Sequence, residues 1–111
     1  MKVDIPARSK AGLLERDALV HAAECLRTLA HPCRLRMVEI MLADRYTVGQ
    51  LAERCGVVSH VASGHLRLMQ RCGLLIQERE GRKTYYRVGD PCLKDFIACI
   101  RRRFAGHEPE N

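Results

Sequence analysis

Apolar residues recur three or four positions apart in five segments of the chain, which is the spacing of one face of an α-helix. These segments are 13–30, 32–43, 47–56, 59–72 and 90–104. Between the fourth and the fifth, the chain is instead rich in β-branched and aromatic residues, which favour strands. The pattern predicts a mainly α-helical chain of five helices with one small β element, an α+β fold.

The third and fourth helices carry signals for where each begins and ends. Thr47 can cap the third helix, and Gln50 three positions later completes a capping box. Ser59 is the predicted cap of the fourth helix. Gly56 and Gly73 follow the two helices, each after a basic residue in the last turn, as is usual where a helix ends. Two short helices separated by so few residues form a helix-turn-helix, whose second helix fits the major groove of DNA.

The polar side of the fourth helix has the composition of a surface that approaches DNA. Short side chains let the backbone come close to a duplex, and a long basic side chain can reach base edges or phosphates. The residues on this side are Ser59, His60, Ser63, Gly64 and Arg67. Taken alone, the same pattern also fits an ordinary surface helix, so the interpretation depends on the segment that follows.

That segment consists of two predicted strands, 74–79 and 83–88, joined by a turn that contains glycine. A β-hairpin directly after a recognition helix is the wing of a winged helix. The basic residues at its tip, Arg82 and Lys83, would lie beside the phosphate backbone or the minor groove. A basic turn is often merely solvated, but next to this helix pair contact with DNA is the favoured interpretation.

The charge of the chain agrees with a nucleic-acid partner. Its 111 residues include 19 Lys and Arg against 13 Asp and Glu, for a net charge of +6 and an isoelectric point near 9.3. An excess of positive charge favours binding to polyanions such as nucleic acids. The length fits one domain, predicted at 13–105, with flexible ends at 1–12 and 106–111. The sequence has no nucleophile elbow, glycine-rich phosphate loop or Cys-x-x-Cys motif, so an enzyme is not expected.

Hydropathy and cysteine usage indicate the compartment. The sequence contains no apolar run of the roughly 20 residues that a membrane-spanning helix needs, and residues 1–10 lack the apolar core of a signal peptide. A cytoplasmic protein without a membrane partner is therefore expected. In that compartment the 6 cysteines would be thiols and not disulfides.

The last helix is more apolar than an exposed C-terminal helix should be. Its stripe consists of Leu93, Phe96, Ile97, Ile100 and Phe104. Burial against the first helix and against a second copy of the chain would cover it. A homodimer also suits DNA, because two recognition helices can then contact half-sites about one turn apart.

Several short motifs, in their order and spacing, resemble the ArsR/SmtB family of winged helix-turn-helix transcriptional repressors over roughly residues 17–104. They are Leu26-Arg27-Thr28-Leu29-Ala30-His31-Pro32, Thr47-Val48-Gly49-Gln50-Leu51-Ala52, Ser63-Gly64-His65-Leu66-Arg67, Cys72-Gly73-Leu74-Leu75 and Glu80-Gly81-Arg82-Lys83. The resemblance implies a homodimer that binds operator DNA without any cofactor. It also implies release from the operator when an effector binds, often a metal or metalloid ion.

The residues expected to contact DNA on this basis are Gln50, Ser59, His60, Ser63, Gly64, His65, Arg67, Arg82 and Lys83. His65 matches the Ser-x-His-Leu pattern of the family's recognition helix. It also lies beside Leu66 of the apolar face, so contact with DNA and packing within the protein both stay open for it. His60 replaces the small residue usual at its position, and could add a base or phosphate contact.

Two metal sites of the family are not matched in this sequence. The Cys-x-Cys site in the third helix would fall on Thr47 and Gly49. The zinc site in the last helix would begin at Asp90 and need ligands at Arg103 and Gly106, which neither residue can supply.

Thiols are the remaining candidates for sensing. Cys92 and Cys99 would project within about 20° of each other but about 10 Å apart along a helix, so ligands from other elements would be needed to complete a metal site. Cys33, in the first turn of the second helix and beside cationic residues, is the other candidate, and a reactive thiol and an inert packing residue both stay open for it. The other cysteines, interpreted as packing residues, are Cys25, Cys55 and Cys72.

The sequence therefore leaves two hypotheses for control of DNA binding. In the first, a soft ion such as As(III), Cd, Cu(I) or Zn, or a thiol oxidant, acts at Cys33, Cys92 or Cys99. In the second, the protein is a winged-helix DNA-binding regulator with no small-molecule effector.

Overall fold

The computed structural model describes residues 12–106, and five helices and three strands account for most of them. In chain order these are α1 (Arg16–Leu29), α2 (Pro32–Met41), β1 (Tyr46–Thr47), α3 (Val48–Cys55), α4 (Ser59–Arg71), β2 (Leu75–Glu80), β3 (Lys83–Val88) and α5 (Cys92–Phe104). The predicted five helices and β-hairpin are confirmed. The ends predicted to be flexible, 1–12 and 106–111, lie outside the described residues except for Gly12 and Gly106. Within 12–106, no helix has the length and apolar character needed to cross a membrane.

The core of the protein forms where α2, α3 and α4 meet. Met37 and Val38 of α2, Leu51 of α3, and Leu66 and Met69 of α4 have no exposed surface. Burial of each such side chain contributes about 1.5–3 kcal/mol to folding. Because the apolar face of α4 is committed to this core, its polar face is turned outward.

The three strands form one antiparallel sheet in the order β1-β3-β2. The turn between β2 and β3 contains Gly81 at φ +64°, a conformation that favours glycine. Strand β1 pairs with the other edge of β3, where Tyr46 lies opposite the buried Tyr86. The sequence did not predict β1, because two residues are too few to show an alternating pattern.

A basic residue just before β1 holds the hairpin in place. Arg45 Nη1 lies 3.4 Å from Glu78 Oε1, and Arg45 Nη2 pairs with Glu80. The Arg45 guanidinium also stacks on Tyr85, 4.0 Å from the ring centroid. Arg87 Nε pairs with Glu78 Oε2 at 2.5 Å. Hydrogen bonding and positive charge, mainly from Arg87 and also from Arg45, hold the pKa of Glu78 below its usual range. The wing is therefore tied to the segment that leads into α3.

The helix ends test the predicted caps. Gln50 N donates to Thr47 Oγ1 at 3.1 Å and Thr47 N donates to Gln50 Oε1 at 2.8 Å, so the capping box is confirmed. Asp90 Oδ1 accepts a hydrogen bond of 2.9 Å from the backbone N–H of Cys92, the first residue of α5, although Pro91 occupies the capping position. The prediction for Ser59 is wrong, since Val58 occupies the capping position and no side chain caps α4. Ser59 already lies in the first turn, on the exposed surface.

The outer helices α1 and α5 leave apolar side chains uncovered. In α1 only Leu29 is buried, whereas Leu19 and Leu26 are 53% and 52% exposed. In α5, Ile97 is buried but Phe104 is 55% exposed. A single copy of the chain therefore presents an apolar surface of the kind predicted to pack against a second copy.

Candidate functional site

The outward face of α4 is an open, polar surface. Ser59, His60 and Arg67 are exposed, and Ser63 and Gly64 are half-buried. Arg67 Nη1 donates to Ser63 Oγ at 3.2 Å, one turn away on the same face. A Cβ added at Gly64 would meet no atom within 4 Å. No part of the described chain covers the middle of this face, so a duplex could approach the backbone there.

The wing places a second set of predicted residues on the surface. Arg82 and Lys83 are exposed at the tip of the hairpin. Lys83 and Gln50 line the same groove, between the start of α3 and the wing. The side-chain oxygen of Gln50 accepts from the Thr47 amide, so this predicted DNA contact also serves as a helix cap.

The structure places His65 against the protein, apart from the other polar residues of α4. Arg34 Nε donates to His65 Nδ1 at 2.9 Å, and Arg34 Nη1 donates to the Thr28 carbonyl oxygen at 2.9 Å. The His65 ring lies 4.6 Å from the ring of His31, between centroids. Burial, followed by the nearby Arg34 and His31, lowers the pKa of His65. These contacts favour the packing alternative for His65 over contact with DNA.

Replacing His65 with Asn is expected to flatten the dependence of stability on pH, since Asn offers an acceptor near the position of Nδ1 but does not titrate. The folded chain lowers the pKa of His65, so the unfolded chain binds the proton more readily. The contribution to stability is complete above the ordinary histidine pKa of about 6.5, and it is lost as the pH falls from there toward the lower folded-state pKa. Urea unfolding of both proteins at neutral and mildly acidic pH measures the difference. If the free energy of unfolding falls equally in the two proteins between neutral and mildly acidic pH, this role of His65 is contradicted.

The three cysteines predicted to sense are not brought together within one copy of the chain. Cys92 and Cys99 are both exposed, and the Cys99 thiol accepts from Arg102 Nη2 at 3.2 Å. Cys33 instead lies against Cys55, where burial and then the neighbouring Cys33 thiol raise the pKa of Cys55. Among residues 12–106, no group of three or more His, Cys, Asp or Glu side chains is placed to hold a metal ion.

A thiol pair that the sequence did not predict lies between α1 and the end of α4. The Cys25 thiol donates to the Cys72 carbonyl oxygen at 3.7 Å, and burial followed by the neighbouring Cys72 raises the pKa of Cys25. The two residues are 47 positions apart, so no local pattern could indicate that they meet. The sequence pattern predicts only a packing role for each of them. We call Cys25 and Cys72 the α1–α4 thiol pair.

Comparison with known proteins identifies relatives among transcriptional regulators, and no protein-family model matches the chain. A probable mercury resistance operon repressor of Streptomyces lividans is 33% identical over 79 residues, which are 71% of this chain and 63% of that protein. The HTH-type transcriptional repressor SmtB of Mycobacterium tuberculosis is 33% identical over 74% of this chain and 61% of its own length. The chain thus spans less than two thirds of these two proteins. An uncharacterized HTH-type regulator of Mycobacterium tuberculosis, Rv0081, is 31% identical over 75% of this chain and 74% of its own length.

Solved structures agree with these relatives. The crystal structure of Rv0081 superposes with a TM-score of 0.72 and 29% identity, covering 82% of this chain and 91% of that one. The homodimeric winged helix-turn-helix DNA-binding domain of Mb0332 from Mycobacterium bovis, a possible ArsR-family regulator, gives a TM-score of 0.73 and 26% identity over 91% and 96% of the two chains. These relatives and neighbours are transcriptional regulators and not enzymes. In sequence and in fold, the chain belongs to the ArsR/SmtB family of winged helix-turn-helix transcriptional regulators.

Proposed function

We propose that the protein is a homodimeric transcriptional repressor that binds operator DNA through α4 and the wing. The open face of α4 carries this proposal. It combines small residues with Arg67, and a Cβ added at Gly64 would meet no atom within 4 Å outside the adjacent helix backbone. Small residues permit close approach of the backbone to the major groove, and an arginine can read base edges or bind phosphate.

The homodimer is supported by the uncovered apolar side chains of α1 and α5 and by the homodimeric state of the Mb0332 domain. In such a dimer the two α4 helices would contact half-sites about one turn of DNA apart. Binding of both half-sites by one rigid particle raises the overall affinity far above that of a single winged helix.

Removing both cations from the tip of the wing is expected to weaken operator binding and its dependence on salt. Each phosphate contact adds about 0.9 to the slope of log K against log salt concentration, so Arg82→Ala/Lys83→Ala should reduce the slope by about 2. Fluorescence anisotropy with a labelled operator at several salt concentrations measures it. The matched control is Lys94→Ala/Arg103→Ala, which removes the same charge from exposed positions on α5. Equal slopes for the two double variants would show that the wing does not contact phosphates.

We further propose that a thiophilic metal or metalloid ion, or oxidation of thiols, releases the repressor from its operator. Within the described part of the chain, all six cysteines are free thiols, and four of them form two close pairs. One relative is named as a probable mercury resistance operon repressor, a regulator of resistance to a soft metal. Thiolates are the side chains that soft ions prefer.

Operator binding by the reduced protein, titrated with arsenite, Cd(II), Cu(I), Zn(II), Hg(II) and peroxide, tests the effector. At least one of these reagents is expected to lower the affinity about tenfold or more, a coupling free energy typical of ligand-controlled proteins. If none does so while the reduced protein binds tightly, the alternative holds, and the protein is a DNA-binding regulator without a small-molecule effector.

A further inference from the structure

We propose that Cys25 and Cys72 together bind one Hg(II) ion as a linear dithiolate, and that this ion bridges α1 to the end of the recognition helix α4. Binding of the ion is a property of the folded chain alone. Its consequence for transcription rests on the proposed function above.

Both thiols already form hydrogen bonds between α1 and the end of α4. The Cys25 thiol donates to the Cys72 carbonyl oxygen at 3.7 Å. Thr28 Oγ1 lies 3.2 Å from Cys72 Sγ, and the single Thr28 hydroxyl proton is given to the Glu24 carbonyl oxygen at 3.1 Å. The Cys72 thiol is therefore the donor in its contact with Thr28. An ion that displaces both thiol protons can therefore bind the Cys25 sulfur on α1 and the Cys72 sulfur at the end of α4.

The number of thiol ligands limits which metal ion the pair can bind. Zinc sites are almost always four-coordinate, and Cys25 and Cys72 supply only two of the four ligands. Cys92 and His21 also line the cavity of the α1–α4 thiol pair, but no group of three metal-binding side chains occurs within residues 12–106. An ion that is stable with two thiolates fits such a pair, and Hg(II) and Cu(I) are the soft ions of that type.

The charge of the complex separates these two ions. Two thiolates neutralise Hg(II) completely, whereas with Cu(I) they leave one net negative charge. The cavity is lined largely by apolar side chains, among them Leu29, Leu93 and Phe96, and an uncompensated charge in such surroundings is costly. The carboxylate of Asp90 on the same cavity further disfavours an anionic complex. The site therefore favours Hg(II).

The reaction is balanced by proton release, without any oxidant. One Hg(II) ion replaces the two thiol protons, two S–H bonds break, two S–Hg bonds form, and two protons leave to solvent. Burial and the neighbouring Cys72 raise the pKa of Cys25, which favours the protonated form of that thiol in the free protein. A strongly thiophilic ion can displace both thiol protons without any redox step.

Binding would change how α1 is held against α4. Both present tethers, from Cys25 to the Cys72 carbonyl and from Cys72 to Thr28, depend on the protons that leave. A S–Hg–S bridge would replace them. Cys72 directly follows the last residue of α4, and α1 carries the uncovered apolar side chains. The site thus connects the recognition helix to the proposed dimer surface.

Thiol protection in the full-length, reduced protein tests the site without any variant. One equivalent of Hg(II) is added, the protein is alkylated with iodoacetamide, and mass spectrometry measures alkylation at each cysteine relative to ion-free protein. We expect alkylation of Cys25 and Cys72 to slow at least tenfold while the other four cysteines are unchanged. Protection of Cys33 and Cys55, or of Cys92 and Cys99, in place of this pair would overturn the site.

Measurements of operator binding then distinguish binding of Hg(II) by the α1–α4 thiol pair from its proposed effect on DNA binding. Cys25→Ser and Cys72→Ser should bind operator as the natural chain does but lose release by Hg(II), whereas the control Cys33→Ser/Cys55→Ser should keep it. Protection of the pair without any release of operator would support the site and contradict the proposed effector. Protection in a protein that binds no operator would support the site and contradict the proposed function.

Discussion

Replacing Gly64 with Glu is expected to lower operator affinity at least about 100-fold while the protein stays folded. A Cβ at this position meets no atom within 4 Å outside the adjacent helix backbone, so the fold leaves room for a side chain there. In the complex, the carboxylate would lie where the backbone of α4 approaches the duplex, and like charges placed together at an interface cost several kcal/mol. Anisotropy with a labelled operator measures the affinity, and urea unfolding of the same variant measures the fold.

Gly64→Ala is the matched control for this variant. Alanine in place of a glycine within a helix should raise the free energy of unfolding by about 0.5–1 kcal/mol, and it brings no charge toward the phosphates. If Gly64→Ala gains stability and loses less operator affinity than Gly64→Glu, the effect of Glu is on DNA contact and not on folding. Unchanged operator affinity in Gly64→Glu would mean that the face of α4 is not the DNA-binding surface.

Leu19→Glu/Leu26→Glu is expected to convert the dimer to monomers and to reduce operator affinity by about 100-fold or more. Both leucines are about half exposed in the single chain, and glutamate preserves helix propensity. At the proposed dimer surface the two carboxylates would be buried without partners, which opposes association. Loss of two-site binding removes the gain in avidity, which is of order 10²–10⁴. Light scattering after size-exclusion chromatography measures the mass, and anisotropy measures the affinity.

Arg27→Glu provides the control for charge, because it also changes the net charge by −2. Arg27 is exposed on α1 and projects about 100° around the helix from Leu26. This variant should remain dimeric and lose affinity only modestly. A double leucine variant that stays dimeric would place the dimer surface elsewhere on the chain.

Local signals in the sequence predicted the parts of the fold that local interactions determine. The capping box joins Thr47 to Gln50, three positions later, and the wing is a hairpin of adjacent strands. Both can be recognised in a short window because the interacting groups are close along the chain. The error at Ser59 has the same origin, since a residue suited to capping sits one position inside the helix and Val58 takes its place.

Contacts between residues distant in sequence could not be predicted in this way at the candidate sites. The open face of α4 follows from helical periodicity, and its five predicted residues share that face. The contacts of His65 with Arg34 and of Cys25 with Cys72 join residues 31 and 47 positions apart. Those neighbours depend on how α1 and α2 pack against α4, which hydrophobic periodicity does not specify. The contact between Cys25 and Cys72 could therefore not be predicted from spacing along one helix.

The position of β3 between β1 and β2 has a consequence for control of the repressor. Strand β1 passes directly into α3 at Thr47, and β3 joins it to the hairpin. The wing and the start of α3 are thus joined through one sheet, which restrains movement of the wing relative to the elements proposed to contact DNA. An inducer would then act by altering the distance or tilt between these elements in the two subunits of the dimer, so that they no longer match consecutive turns of the double helix.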